Sequence, residues 1–247
     1  MEENVHFNKI FVDKKNNFFE IFNPDNGTLI RSNVCGTDKN PLKRSFPELI
    51  DIGIMGNCKA GRTGICKMAG IDCYQNGLNV NNQNMSLRDY EWIVDQCGGK
   101  VFQVALGGAG DPNKHENFDE ILELTRRNGI VPNLTTSGTD ITDNELYLIK
   151  KYCGAVAVSF YSRLIGERET NSKTIEVISK CVKEDCVTNI HYVISTETID
   201  EAIYRLENEI WPKGINAIIF LLYKPVGLGR KQKVITVGDK LFKFLNL

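Results

Sequence analysis

Six short apolar runs, at residues 49–55, 101–106, 130–134, 155–160, 187–194 and 216–222, recur along the chain. After the first interval their starts lie 25 to 32 residues apart, the length of one strand–helix unit. Runs of this kind fit buried parallel strands, and the amphipathic stretches between them carry helix-start signals. Ser86 with Asp89, Asn117 with Glu120, Thr142 with Glu145 and Thr198 with Glu201 each set a capping side chain three residues ahead of an acid. The spacing predicts a helix over 118–127, with Phe118, Ile121, Leu122 and Thr125 on one face, and another over about 172–184 burying Ile175, Ile178 and Val182. A weaker helix is expected over 237–247. Six such units make an α/β domain with a parallel sheet. Two architectures follow from the count: a partly open barrel, short of the eight units that close one, or a doubly wound open sheet. In both, ligands bind at the carboxyl ends of the strands.

Ahead of this domain, residues 1–34 read as a small antiparallel appendage. Runs at 9–13 and 18–22 flank Lys14-Lys15-Asn16-Asn17, and a third run, 28–34, follows the turn Pro24-Asp25-Asn26-Gly27. Residues 35–48, with Pro41 and Pro47, read as a linker, and 49–247 as the main domain. The net charge of −1 gives no electrostatic reason to expect a nucleic acid or an acidic membrane surface as partner. The apolar runs are too short to span a bilayer, and the acidic start shows no signal peptide. A cytoplasmic setting is therefore expected, where the eight cysteines serve as thiols or metal ligands rather than disulfides.

Chemistry gathers at the predicted strand ends. The first run opens into the glycine-rich loop 51–77, which holds Cys58, Cys66 and Cys73 with seven and then six residues between them. Three thiolates leave one position open on a four-iron cubane or on a tetrahedral zinc, and the short C-x-x-C knuckles of structural zinc sites are absent. Cys97, Cys153 and Cys181 read instead as small hydrophobes on helices or at their ends. The second run leads into Gly107-Gly108-Ala109-Gly110-Asp111-Pro112, the third into Thr135-Thr136-Ser137-Gly138, and the fourth into Ser159-Phe160-Tyr161-Ser162-Arg163. His191 alternates with Asn189 and Val193 on the fifth, and Tyr223-Lys224-Pro225-Val226-Gly227-Leu228-Gly229 follows the sixth. Arg163 and Lys224 could anchor carboxylates or form a solvated rim, and His115 could approach a ligand or lie exposed in its loop.

A strand, a glycine-rich three-cysteine loop ending in Cys73-Tyr74, and a second strand ending in Gly107-Gly108 together resemble the radical S-adenosylmethionine (SAM) superfamily. The resemblance covers residues 48–247 and implies a partial (βα)6 barrel of TIM-like type. It implies that Cys58, Cys66 and Cys73 hold a [4Fe–4S] cluster whose open iron chelates SAM. Gly107, Gly108 and Asp111 stand where the family has its Gly-Gly-Glu segment, which binds the SAM amino group. By position, the resemblance places Tyr74, Thr136, Ser137, Ser159, His191, Lys224 and Gly227 around the rest of the cofactor. The chain departs from the family in its cysteine spacing, usually three and then two residues, so this loop is expanded by eight positions. The Gly-Gly pair is also followed by Ala-Gly-Asp rather than directly by Glu.

The activity implied is reductive cleavage of SAM to methionine and a 5′-deoxyadenosyl radical that takes hydrogen from a substrate, with electrons from a ferredoxin or flavodoxin. Analogy with relatives that carry small N-terminal β elements extends this to a peptide or protein substrate. An anaerobic cytoplasm suits such a cluster. The alternatives are a non-catalytic metal-binding or scaffold protein of the same fold and a nucleotide-binding α/β protein. The latter's G-x-G-x-x-G pattern fails, because Asn113 stands where the third glycine belongs.

Overall fold

The computed structural model describes residues 8–34, 44–64, 66, 71–165 and 168–247. The start of the expected appendage, most of the expected linker (35–43) and part of the cysteine loop (65 and 67–70) lie outside the described residues. Three strands, β1 (Lys9–Asp13), β2 (Phe18–Phe22) and β3 (Leu29–Asn33), pair antiparallel in that order. The reversal between β1 and β2 places Asn17 at φ 57°, and that between β2 and β3 places Gly27 at φ 73°.

The main sheet contains β4 (Leu49–Met55), β5 (Gln103–Gly108), β6 (Val131–Thr136), β7 (Ala155–Ser159), β10 (Thr188–Ile194) and β11 (Ala217–Leu222). All five strand pairs are parallel, and their spatial order is the order of the chain. A doubly wound sheet reverses its strand order part-way, so the fold is the singly wound, partial-barrel alternative. Between β7 and β10 lies a two-stranded ribbon that the apolar pattern did not announce, β8 (Leu164–Ile165) and β9 (Arg168–Glu169).

Helices α2 (Leu87–Cys97), α3 (Phe118–Arg127), α4 (Asp143–Tyr152), α5 (Ser172–Lys183) and α6 (Ile199–Glu207) cover one face of this sheet, after the short α1 (Lys59–Arg62) in the cysteine loop. Ile52, Ile54, Val104, Leu106, Val156 and Ile190 point into that helix-covered core. The final helix α7 (Asp239–Leu245) packs on α6 through Lys240–Asp200 and Lys243–Glu207 ion pairs.

The caps divide. Ser86 accepts from the Asp89 N–H, and Thr142 with Glu145 forms a complete capping box. Asn117 and Thr198 make no side-chain cap. Thr198 instead hydrogen-bonds the Val193 carbonyl at 2.7 Å, and Glu201 is drawn off to Arg163 and Arg205. On α5, Thr174, Val177, Ile178 and Cys181 are the most buried residues, while Ile175 and Val182 are only partly covered. Ionic partners took Glu201 from its cap, which a local pattern cannot foresee. No helix among the described residues is long and apolar enough to cross a membrane.

The antiparallel appendage packs at the amino ends of the barrel strands. Phe22 stacks on Phe102, just before β5, with ring centroids 5.0 Å apart, and Val131 at the start of β6 joins them. Arg44 covers both Phe11 and Phe102 and pairs with the fully buried Glu20 at 2.6 Å. A buried carboxylate is tolerated only with such a partner. Asp13 closes the turn after β1, accepting from the N–H groups of Asn16 and Ser45 at 3.0 and 2.7 Å. Burial would raise its carboxyl, but hydrogen bonds from Asn16 and Ser45 hold it down at about 2, against 3.8 ordinarily.

The appendage therefore stabilises the domain by burial. Phe22→Ala should cost about 3 kcal/mol or more, a fall of roughly 6–12 °C in Tm for a chain of this size, read by calorimetry. A depressed carboxylate gives stability that is present above its unfolded value and lost as pH falls through its folded one. Acid titration followed by circular dichroism should thus show stability falling between pH 3.8 and about 2, and Asp13→Asn should flatten that limb.

Candidate functional site

Because the strands are parallel and in sequence order, all six carboxyl ends lie on one rim. Strand alternation sorts the side chains there. Gly107, Thr135, Ala157, Ser159, Asn189 and His191 face the inner side of the curved sheet, opposite the helix-covered core, and together they are more open to solvent than the core-facing residues between them. These are mostly small or polar, and the branched Ile219 and Leu221 that share their face on β11 are left part-exposed, so the inner face is a hollow rather than a second core. A Cβ added at Gly107 would meet nothing within 4 Å. Thr136, expected as a cofactor contact, is fully buried and shares the core-facing parity of Leu134. The pleat gives the inward position to Thr135.

Cys58, Cys66 and Cys73 stand above this hollow. Cys58 is the N-cap of α1, its sulfur accepting from the Gly61 N–H at 3.2 Å, and the Cys73 sulfur accepts from the Gly77 N–H at 3.3 Å. Gly77 is wedged between them: a Cβ there would lie 3.2 Å from the Cys58 Cβ and 3.4 Å from the Cys73 sulfur. Cys66 completes the group. Burial pushes its thiol up to about 11, and the nearby charges of Cys58, Cys73 and Asp111 add to the rise. Burial likewise raises Cys58.

Thiols so placed become thiolates only when a cationic group compensates them. Among the described residues no three of His, Cys, Asp or Glu converge tightly enough for a single ion. Three thiols around a glycine-lined space form the donor set of an iron–sulfur cluster, in which each thiolate binds its own iron. Across the expanded spacing the three thiols lie near enough to influence one another electrostatically.

Asp111 lies next to the trio. Its carboxylate accepts from the Ser137 N–H at 2.7 Å and from the Ser137 hydroxyl at 2.6 Å, tying the second strand end to the third. Burial raises this carboxyl despite those bonds. Gly108 lets the β5 end press against β4. It sits at φ 126°, and a Cβ there would lie 2.5 Å from the Met55 carbonyl oxygen. Tyr74 is exposed, with the Lys224 ammonium 5.9 Å from its ring centre, and Gly227 sits over the Tyr74 backbone. The His191 imidazole is held toward its neutral form by burial.

Two residues take other work. His115 is buried and saturated, its Nδ1 accepting from the Asn117 N–H and its Nε2 donating to the Met85 carbonyl, each at 3.0 Å. Arg163 does bind a carboxylate, but the chain's own, pairing with Glu201 at 2.7 Å. One residue was missed. Tyr161 is hydrogen-bonded by the Ser159 hydroxyl and lies near Cys66, Cys73 and Asp111; burial pushes its phenol up to about 12. Its parity with Ser159, two residues back, is the sequence signal that pointed to it.

The two adjacent glycines give a test of this geometry. Gly108→Ala forces an L-residue into a strained conformation against the Met55 backbone. It should cost about 2 kcal/mol or more, roughly 4–8 °C in Tm, while Gly107→Ala should leave Tm unchanged.

No protein-family model and no curated protein matches the sequence. Solved structures do. SuiB from Streptococcus suis bound to S-adenosylmethionine is 17% identical, with a TM-score of 0.59 over 82% of this chain and 47% of that one. SuiB bound to the precursor peptide SuiA matches equally well, at 17% identity and 0.59 over 82% and 46%. Native anSMEcpe with bound AdoMet and the Cp18Cys peptide is 18% identical, with 0.56 over 80% and 57%. The chain spans about half the length of these structures. At such identities the likeness is one of fold alone: the chain shares the fold of these S-adenosylmethionine-bound structures.

Proposed function

We propose that this chain is a radical SAM enzyme, with Cys58, Cys66 and Cys73 holding a [4Fe–4S] cluster and SAM lying over the adjoining strand ends. What supports the reading is three thiols near one another, with Asp111 beside them and an open inner face below Gly107. When bound, the reduced cluster supplies the electron that cleaves SAM, drawn from a ferredoxin or flavodoxin.

The chain's own residues bind and orient. Asp111, fixed by Ser137, presents a carboxylate at the β5 end suited to the SAM amino group. Gly107 leaves space for the backbone to approach that group closely. Thr135, Ser159 and Tyr161 offer hydroxyl donors from the next strand ends, and neutral His191 stands level with Ser159 on the neighbouring strand. Tyr74, Lys224 and Gly227 form the rim on the far side. A peptide or protein substrate is supported by the structures of SuiB with SuiA and anSMEcpe with Cp18Cys, which share the fold.

Anaerobically reconstituted protein should be brown, hold about four irons, and form 5′-deoxyadenosine from SAM and a reductant. Cys66→Ala should abolish that formation, and Gly107→Ala should weaken SAM binding at unchanged Tm. Colourless protein that takes zinc instead would overturn the proposal.

A further inference from the structure

β4 and β11 are the two ends of the main sheet and share no strand pairing. The segments that follow them nevertheless meet across the mouth of the barrel. The Leu228 N–H donates to the Cys73 carbonyl at 3.0 Å, and the Tyr223 hydroxyl donates to the Asp72 carboxylate at 3.1 Å, across 151 residues of sequence. Lys233 pairs with the same carboxylate at 2.7 Å and Arg230 at 3.5 Å, while the Arg230 N–H donates to the Tyr223 oxygen at 2.7 Å. Gly227 makes the approach possible. It adopts φ 61°, and a Cβ there would stand 2.3 Å from the Tyr74 carbonyl oxygen and 2.8 Å from that of Cys73.

The strap of residues 223–233 is itself anchored to the body. Lys233 also pairs with Glu197 at 2.9 Å, and the Thr196 N–H and hydroxyl donate to the Lys233 and Gln232 carbonyls at 3.0 and 3.2 Å. Around Cys73 the backbone belongs to no helix or strand, and from within the loop it is held only by a turn, with the Asn76 N–H donating to the Cys73 carbonyl at 3.1 Å and the Gly77 N–H to its sulfur. Asp72 is the neighbouring residue, and its side chain is only 9% exposed, so its charge depends on these cations.

We propose that Asp72 is a positioning residue for the candidate cluster site: held by Tyr223, Arg230 and Lys233, it sets the Cys73 thiol opposite Cys58, so that the site is completed by the last strand–helix unit. This rests on the reading of Cys73 as a cluster ligand. Residues that orient metal ligands from behind typically govern affinity by about 10-fold or more.

The test uses the whole chain with and without the cluster. In apo protein, alkylation by iodoacetamide is followed residue by residue by mass spectrometry. Asp72→Asn and Lys233→Met should speed labelling of Cys73 while that of Cys58 is unchanged, and Lys233→Arg should restore the wild-type rate. In reconstituted protein the same two variants should lose iron to a chelator about 10-fold faster and alter the electron paramagnetic resonance spectrum of the reduced cluster. Tyr223→Phe, which deletes one hydroxyl, should show both effects in weaker form should a charge variant fail to fold. Lys240→Ala, which removes an equal charge on α7, should show neither. Wild-type rates of Cys73 labelling and iron loss in the variants would overturn the proposal. Wild-type protein that binds no cluster, with Cys73 labelling still dependent on Asp72, would remove the proposed function and leave the strap standing.

Discussion

Parallel pairing in chain order is the constraint from which the rest of the molecule follows. Six strands joined this way bring their carboxyl ends to one rim, and each inward-facing residue there is set by the register of its neighbours. The same arrangement leaves a difficulty. Six strands do not close a barrel, so the first and last cannot hold each other by backbone ladders. At the mouth, ion pairs and a single backbone bond between the loops after β4 and β11 do what a seventh and eighth strand would otherwise do. Along β5–β7 the inner face carries small residues, Ala105, Gly107 and Ala157, where a closed barrel would pack branched side chains, and Ile219 and Leu221 on β11 are left part-exposed on it.

The antiparallel appendage illustrates a division of labour between the two ends. It docks through Phe22, Phe102 and Val131 at the amino ends of the strands, and with it come the buried Glu20–Arg44 pair and the Asp13 turn. These contacts stabilise the end opposite the thiols. The docking places β1–β3 away from the mouth.

How far the sequence could be read depended on the range of the interactions involved. Periodicity found the six strands within a residue or two and α3 to the residue, because burial on one face repeats locally. Thr142 and Glu145 formed the expected box, whereas Glu201 was diverted by Arg163 and Arg205, partners that only folding brings near. The choice between Thr135 and Thr136 turned on one step of the pleat, which the end of an apolar run does not define. The cysteines were legible as a group by type and proximity along the chain. The Asp72 strap was invisible, since nothing in a Tyr, an Arg and a Lys beyond residue 220 announces an acid near residue 70.

The cysteine loop returns along the outer edge of the first strand. The Met85 N–H donates to the Ile54 carbonyl and the Asn82 N–H to the Gly56 carbonyl, with an antiparallel bridge between Asn57 and Asn81. The upper edge of β4 is thereby spoken for, while β11 offers its outer backbone groups to no strand among the described residues. Free main-chain donors and acceptors are a template for a further strand. The sheet is consequently polar in its capacity to grow: any segment that extends it near the rim, from this chain or another, must be added beside β11.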